Sequence, residues 1–210
     1  MRADIAEYFL ENQDRYFEAI LTHLKITGIA VVLGLLVGIP LAVLSVKKEK
    51  LSQPLLHTFS LLKMVPALAA LMLAIPLIGT GLLPAVIVLT LLTVPVILIN
   101  TCLGFQEIDS AIVESAHAMG FGKAYVLFKI EFPLALPLIL TGLRTATVEV
   151  IAGATLAAYI GSGGLGLFIM TGIGLLRWDI LLLGGGTVAA LSIIADAALA
   201  LVSRRAVQYR

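Results

Sequence analysis

The chain has 210 residues, 60% of them hydrophobic and 13% charged, whereas a soluble globule carries nearer one quarter charged residues; the composition is that of an integral membrane protein. A net charge of +1, with no basic cluster beyond short runs, leaves no electrostatic footprint for nucleic acid. The lone Cys102 excludes an internal disulfide, and no set of His, Cys, Asp and Glu has metal-ligand spacing, so redox and zinc chemistry lack a basis.

Residues 1–25 hold Asp4, Glu7, Glu11, Asp14 and Glu18 against Arg2, Arg15 and Lys25, the opposite of the basic start of a secretory signal. Ile5, Phe9, Tyr16 and Ile20 share one helical face, which predicts an N-terminal amphipathic tail along a membrane surface. A bilayer-crossing helix needs about 20 apolar residues. Clean candidates are 26–46, 82–104 and 179–203. Two more carry polar interruptions: 54–78 holds Lys63 with Pro54, Pro66 and Pro76, and 134–158 holds Arg144 and Glu149. Between them and the last span lies the Gly-rich segment 159–176, somewhat short for a crossing. The expectation is an all-α membrane protein with one transmembrane domain over 26–203 and a short tail over 204–210.

Lys and Arg are retained on the cytoplasmic side of membrane proteins. The run at 47–50, Lys123 and Lys129, and Arg204, Arg205 and Arg210 all belong inside by this rule. Two cytoplasmic points must be joined by an even number of crossings. Residues 50–106 accommodate two; 133–204 offer three apolar blocks, so the Gly-rich block is the one that does not cross. Five spans with an outer N-terminus follow, six being the alternative.

The loop 106–133 interrupts this apolar chain. Asp109 is placed to N-cap a helix over Ser110–Met119, and Gly120 to end it in a left-handed conformation. Ile112, Ala116 and Met119 form one apolar stripe, with Glu114 and His117 on the other side. Pro133 marks the start of the next span. Charged residues in such a loop are by themselves consistent with a merely solvated connection.

The register of the loop goes further. Glu114, Ser115 and Ala116, then Gly120, then Ile130 and Pro133 resemble the cytoplasmic EAA signature of permease subunits of bacterial ATP-binding-cassette (ABC) importers of type I, with Ser115 and Phe132 departing mildly from the pattern. Segments 65–91 and 145–166 resemble the subgroup that imports glycine betaine, choline and carnitine, and the resemblance covers about residues 25–205. It implies a MetI-like permease fold whose loop is a coupling helix seated in a separate ATPase. Implied partners are two ATPase subunits, a second permease copy or paralogue, and an extracytoplasmic substrate-binding protein, in the inner (cytoplasmic) membrane of a bacterium. ATP and Mg would be bound by the ATPase, with no cofactor on this chain and no catalytic residue in it. The same machine for an amino acid or a sulfonate, or a secondary transporter, is the alternative.

Three other features invite chemistry. The stretch 161–166 satisfies the dinucleotide spacing G-x-G-x-x-G, but it follows a membrane span where that motif requires a strand, and it reads as an outer turn. Ser162 lacks a G-x-S-x-G context and has no convincing partner among His23, His57 and His117. Lys63, Arg144, Glu149 and Asp196 are charges inside spans, which need partners or water. Arg144 and Glu149 are badly spaced to share a face, so each is expected to seek a partner on another helix, and Lys63 or Arg144 is a candidate for pairing with Glu149 beside the pathway. Packing or snorkelling roles for these charges stay open at this stage, and Trp178 reads as an interface anchor.

Overall fold

A computed structural model describes residues 5–208; Arg2 and Asp4 of the expected tail, and Arg210 at the other end, lie outside the described residues. Among the described residues the secondary structure is entirely helical. Helix α1 (Ile5–Glu11) leads into α2 (Gln13–Lys47), then α3 (Glu49–Lys63), α4 (Ala67–Ile78) and α5 (Leu82–Gln106). The loop helices α6 (Ser110–Ala118) and α7 (Lys123–Val126) precede α8 (Phe132–Ala157), and α9 (Gly166–Gly174) precedes α10 (Trp178–Gln208).

Four helical stretches are long and apolar enough to cross a membrane: Gln13–Lys47, Leu82–Gln106, Lys123–Ile160 and Trp178–Ala206. The expected second span differs in form. It is broken into α3 and α4, which meet at 92°, and counting the pair as one broken crossing gives five. Pro66 sits at the break with an extended ψ of 129°; lacking an N–H and clashing with a preceding helical turn, it cannot continue α3. The Gly-rich block does not cross. Its helix α9 has 9 residues, about 14 Å at 1.5 Å per residue, against a hydrocarbon core of about 30 Å.

The expected tail boundary at residue 25 falls inside a helix. Helix α2 is continuous from Gln13, so no boundary falls at residue 25. Tyr8 of α1 and Tyr16 and Ile20 of α2 pack on Ala19, Leu165, Phe168 and Ile180, and the Tyr16 and Thr187 hydroxyls are hydrogen-bonded at 2.6 Å. Aromatic residues are strong anchors because each covers a large apolar area with few rotatable bonds, and here they pack on the Gly-rich segment and the start of α10. Arg177 lies over the Tyr8 ring, 5.0 Å from its centroid, and is paired with the buried Asp179; that hydrogen bond raises the Arg177 pKa above its ordinary value.

Two ends of the bundle are thereby defined. One carries α1, α9 and the α4–α5 turn, the last tied to α8 by the Gly81 N–H donating to the Ile160 carbonyl at 2.7 Å. The other carries α6 and α7, where Phe105, Leu127, Ala135 and Ile139 join the inner ends of α2, α5 and α8. Lys and Arg gather at the second end, the end that the positive-charge rule expects inside.

Within lipid there is no hydrophobic drive between helices, so close packing must hold them. Helices α2 and α5 achieve it through Gly34 and Gly38: a Cβ on Gly34 would stand 2.6 Å from Thr93 Cγ2, and one on Gly38 3.0 Å from Ile97 Cγ2. The main core, with Ile26, Leu71, Leu89, Val150 and Ile160, lies in the outer half. Cys102 is fully buried in the inner half beside Ala42 and Leu98, a packing residue.

Candidate functional site

The loop between α5 and α8 is built from its caps. Asp109 Oδ1 accepts from the Ala111 N–H at 2.9 Å, satisfying one of the free donors that open α6. At the other end Gly120 has φ 86°. The Gly120 N–H donates to the His117 carbonyl at 2.9 Å and the Phe121 N–H to the Ala116 carbonyl at 3.2 Å. This is the Schellman pairing, which needs a left-handed residue between helix and exit. His117 Nδ1 closes on the Phe121 carbonyl at 3.2 Å, and Phe121 stacks on Tyr125 at 4.7 Å.

The apolar stripe expected on α6 is split. Ala116 is buried, while Ile112 and Met119 are exposed, together with Phe121, Tyr125 and Phe128. Glu114 and Ser115 are exposed too. The loop therefore offers a rigid, partly aromatic surface rimmed by charge.

The chain from this surface into the membrane does not pause at Pro133. Residues Lys123–Ile160 form one continuous helical element, and Ile130 is half-buried within it. A π-helical turn, Leu127–Glu131, ends two residues before Pro133. Proline has no N–H to return to a preceding carbonyl and its ring crowds that turn; a locally widened turn accommodates it. Helix α7 is thus continuous with the long helix that follows, and α6 is joined to it by the short turn at Gly120–Gly122.

The exposed side of α8 is unlike that of its neighbours. Helix α2 shows Ile29, Val32, Leu33, Leu36 and Val37, a surface suited to lipid. Among the described residues of α8, no large hydrophobic side chain is exposed; the exposed positions within the span are Thr141, Thr145, Glu149 and Ala152, one helical stripe. A carboxylate and threonines on a transmembrane stripe call for water or another protein surface. Two recesses flank the stripe. One, about 480 Å³, lies between α3, α4, α5 and α8 and includes Lys63, Thr93 and Glu149. The other, about 640 Å³, lies between α8 and α10 and includes Arg144, Glu149 and Asp196. Glu149 borders both.

The four intramembrane charges pair in two sets. Arg144 Nε and Nη2 donate to the Asp196 carboxylate at 3.0 and 2.9 Å, a bidentate fork from α8 to α10. Lys63 Nζ stands 3.8 Å from Glu149 Oε1, beyond direct hydrogen-bond length. Of the two partners considered for Glu149, the structure selects Lys63; Arg144 is committed elsewhere.

One buried polar residue was not legible as such. His23, placed by sequence at a span end, is fully buried in α2, with Nε2 3.1 Å from the Ile151 carbonyl. Gly164 sits against it: a Cβ there would be 3.4 Å from Nδ1. The only signal was the glycine cluster at 161–166, which permits such backbone approach. That cluster is a turn with three left-handed residues, Gly161, Gly163 and Gly164, and Ser162 is buried in it.

A helical bundle with a capped loop and a polar α8 face is the architecture of a membrane permease, and comparison with known proteins makes it one of the ABC-importer type. Residues 30–208 match the binding-protein-dependent transport system inner membrane component family, and the chain belongs to it. The carnitine transport permease protein OpuCB of Listeria monocytogenes is 37% identical over 195 residues, 93% of this chain and 89% of that protein. The choline transport system permease protein OpuBB of Bacillus subtilis (strain 168) is 37% identical over 183 residues, covering 87% and 84%. Among solved structures, an inward-facing conformation of the MetNI methionine ABC transporter superposes with TM-score 0.85 at 19% identity over 93% of this chain and 98% of that one. An amino acid ABC transporter crystallised with histidines gives 0.81 at 18%, covering 98% and 100%. At these identities the two structures speak for the fold. Permeases of this family are not enzymes: ATP is hydrolysed by a separate subunit, and an ATPase and a binding protein are their partners.

Proposed function

We propose that this chain is the membrane-spanning subunit of an ATP-driven importer for quaternary-amine osmoprotectants of the glycine betaine, choline and carnitine class. The observation that carries the transport reading is that the capped α6 loop leads directly into one continuous helical element, Lys123–Ile160, which carries the polar α8 stripe. The solute class is supported by relatives named for carnitine and choline transport that match nearly end to end.

The complex would hold two ATPase subunits, each receiving one α6–α7 surface, and two permease chains, identical or paralogous, in the inner membrane of a bacterium. ATP and Mg would stay on the ATPase. In this mechanism, closure of the ATPases moves α6 and α7 as a rigid body, and the helical element Lys123–Ile160 carries that shift to the outer turn. Alternating exposure of the α8 face then moves the solute, with an external binding protein delivering it.

The test is uptake into proteoliposomes that contain the complex with ATP on the ATPase side and saturated binding protein on the other. Accumulation of labelled choline or glycine betaine that requires ATP and the binding protein is the expected result. Uptake driven by a proton or sodium gradient without ATP would overturn the reading, and accumulation of an amino acid but no quaternary amine would overturn the solute class.

A further inference from the structure

The two intramembrane ion pairs are built differently, and the difference points to a task. Arg144 and Asp196 are locked by two hydrogen bonds. Lys63 and Glu149 stand 3.8 Å apart, each side chain close to half exposed, at the rim of the 480 Å³ recess. Glu149 lies about 16 Å below Ile160 along the helix, near the middle of a hydrocarbon core of about 30 Å. A carboxylate and an ammonium at that depth are costly to leave loosely paired, yet no hydrogen bond ties this pair down.

Building on the solute class proposed above, we propose that Lys63 and Glu149 form a transit site for zwitterionic quaternary amines. The solute's trimethylammonium meets the Glu149 carboxylate and its carboxylate meets the Lys63 ammonium. A zwitterion between the two side chains replaces one loose ion pair by two, without change in net charge. A trimethylammonium has no N–H to donate, so it is recognised by opposite charge and by contact with its methyl groups. Leu89, Leu92, Val150 and Leu156 of the recess supply that contact.

Among the described residues no aromatic side chain lines the recess, so these residues form no cation–π cage. It holds its solute by charge in a partly wet groove, weakly enough to release it, as passage through a membrane requires. The second recess gives a route onward: Glu149 borders both, so the cationic group can move across one carboxylate between them.

The test compares two solutes in the reconstituted complex, with binding protein saturated so that receptor affinity drops out. Choline carries the trimethylammonium without a carboxylate; glycine betaine carries both. Lys63→Met lowers the maximal rate for glycine betaine by about tenfold or more and leaves choline within about twofold, while Glu149→Gln lowers both. The exchange Lys63→Glu with Glu149→Lys restores glycine betaine uptake, since a zwitterion can bind in the reverse sense, and this separates binding from misfolding. Equal losses of both solutes in Lys63→Met, or no loss in either variant, overturn the transit site while leaving the proposed function standing. A wild-type complex that moves neither solute refutes the solute class and the site with it.

Discussion

Arg144 on α8 and Asp196 on α10 form a two-pronged ion pair, 3.0 and 2.9 Å in its two hydrogen bonds, between helices that are far apart in the chain. A guanidinium matches a carboxylate in shape as well as charge, so the pair fixes the rotation of α10 against α8. Removing one partner strands the other charge within the membrane; removing both leaves two neutral groups. Arg144→Met and Asp196→Asn are therefore each expected to lower the melting temperature of the detergent-solubilised protein, and the double variant to regain about half of the loss or more. Fluorescence-detected unfolding checks this, and additive losses in the double variant would remove the pair as a specific clamp.

Gly120 ends α6 at φ 86°, and a Cβ there would meet nothing within 4 Å. Space is therefore not the constraint; backbone conformation is. A β-branched residue at such a φ costs about 1–3 kcal/mol, and asparagine costs less because it visits the left-handed region readily. Gly120→Val should uncap α6, lower ATP-coupled uptake several-fold and reduce co-purification of the ATPase, whereas Gly120→Asn retains both. A pull-down of the ATPase on the tagged permease, with permease level as control, makes the comparison.

Much of this architecture follows from local chemistry. Asp109 and Gly120 bound α6 because a short acid and a left-handed glycine are the groups that satisfy helix ends, and those signals act within a few residues. Parity of the positive charges likewise singles out the Gly-rich block as the one that does not cross, and its helix α9 is only 9 residues long. The failures are long-range. Nothing local in Tyr16 and Ile20 distinguishes a lipid-facing stripe from one that packs on Phe168 and its neighbours. The same holds for Glu149: spacing could reject Arg144 as a same-face neighbour, but only the fold brings Lys63 from α3 into reach. Pro66 and Pro133 show the limit of a residue-level rule, since one breaks a span by 92° and the other is absorbed by a π-helical turn.

Gly166 begins α9 against the end of α8, and a Cβ on it would stand 2.1 Å from the Thr155 carbonyl oxygen. Backbone cannot swing aside as a flexible side chain can, so Gly166→Ala must displace α9. Overpacking of this kind costs about 1–3 kcal/mol. Gly174→Ala, at the other end of α9 with nothing within 4 Å, is the matched control. Thermal unfolding should show a fall for Gly166→Ala and little change for Gly174→Ala. Equal behaviour of the two would mean that α9 does not seat closely on α8 in the membrane.

The orientation of the bundle is open to a labelling test that the native sequence simplifies. Cys102 is the single cysteine and is fully buried, so a thiol reagent finds no background target in the folded protein. Met119 beside the end of α6 and Leu175 after α9 are both largely exposed, at 69% and 61%, and lie at opposite ends of the bundle. With α6 cytoplasmic, a membrane-impermeant maleimide added to intact cells, whose outer membrane is first permeabilised where there is one, labels Leu175→Cys and not Met119→Cys. Opening the cytoplasmic membrane makes both reactive. Labelling of Met119→Cys in intact cells would invert the bundle, and with it the assignment of α6 and α7 as the surface that receives an ATPase.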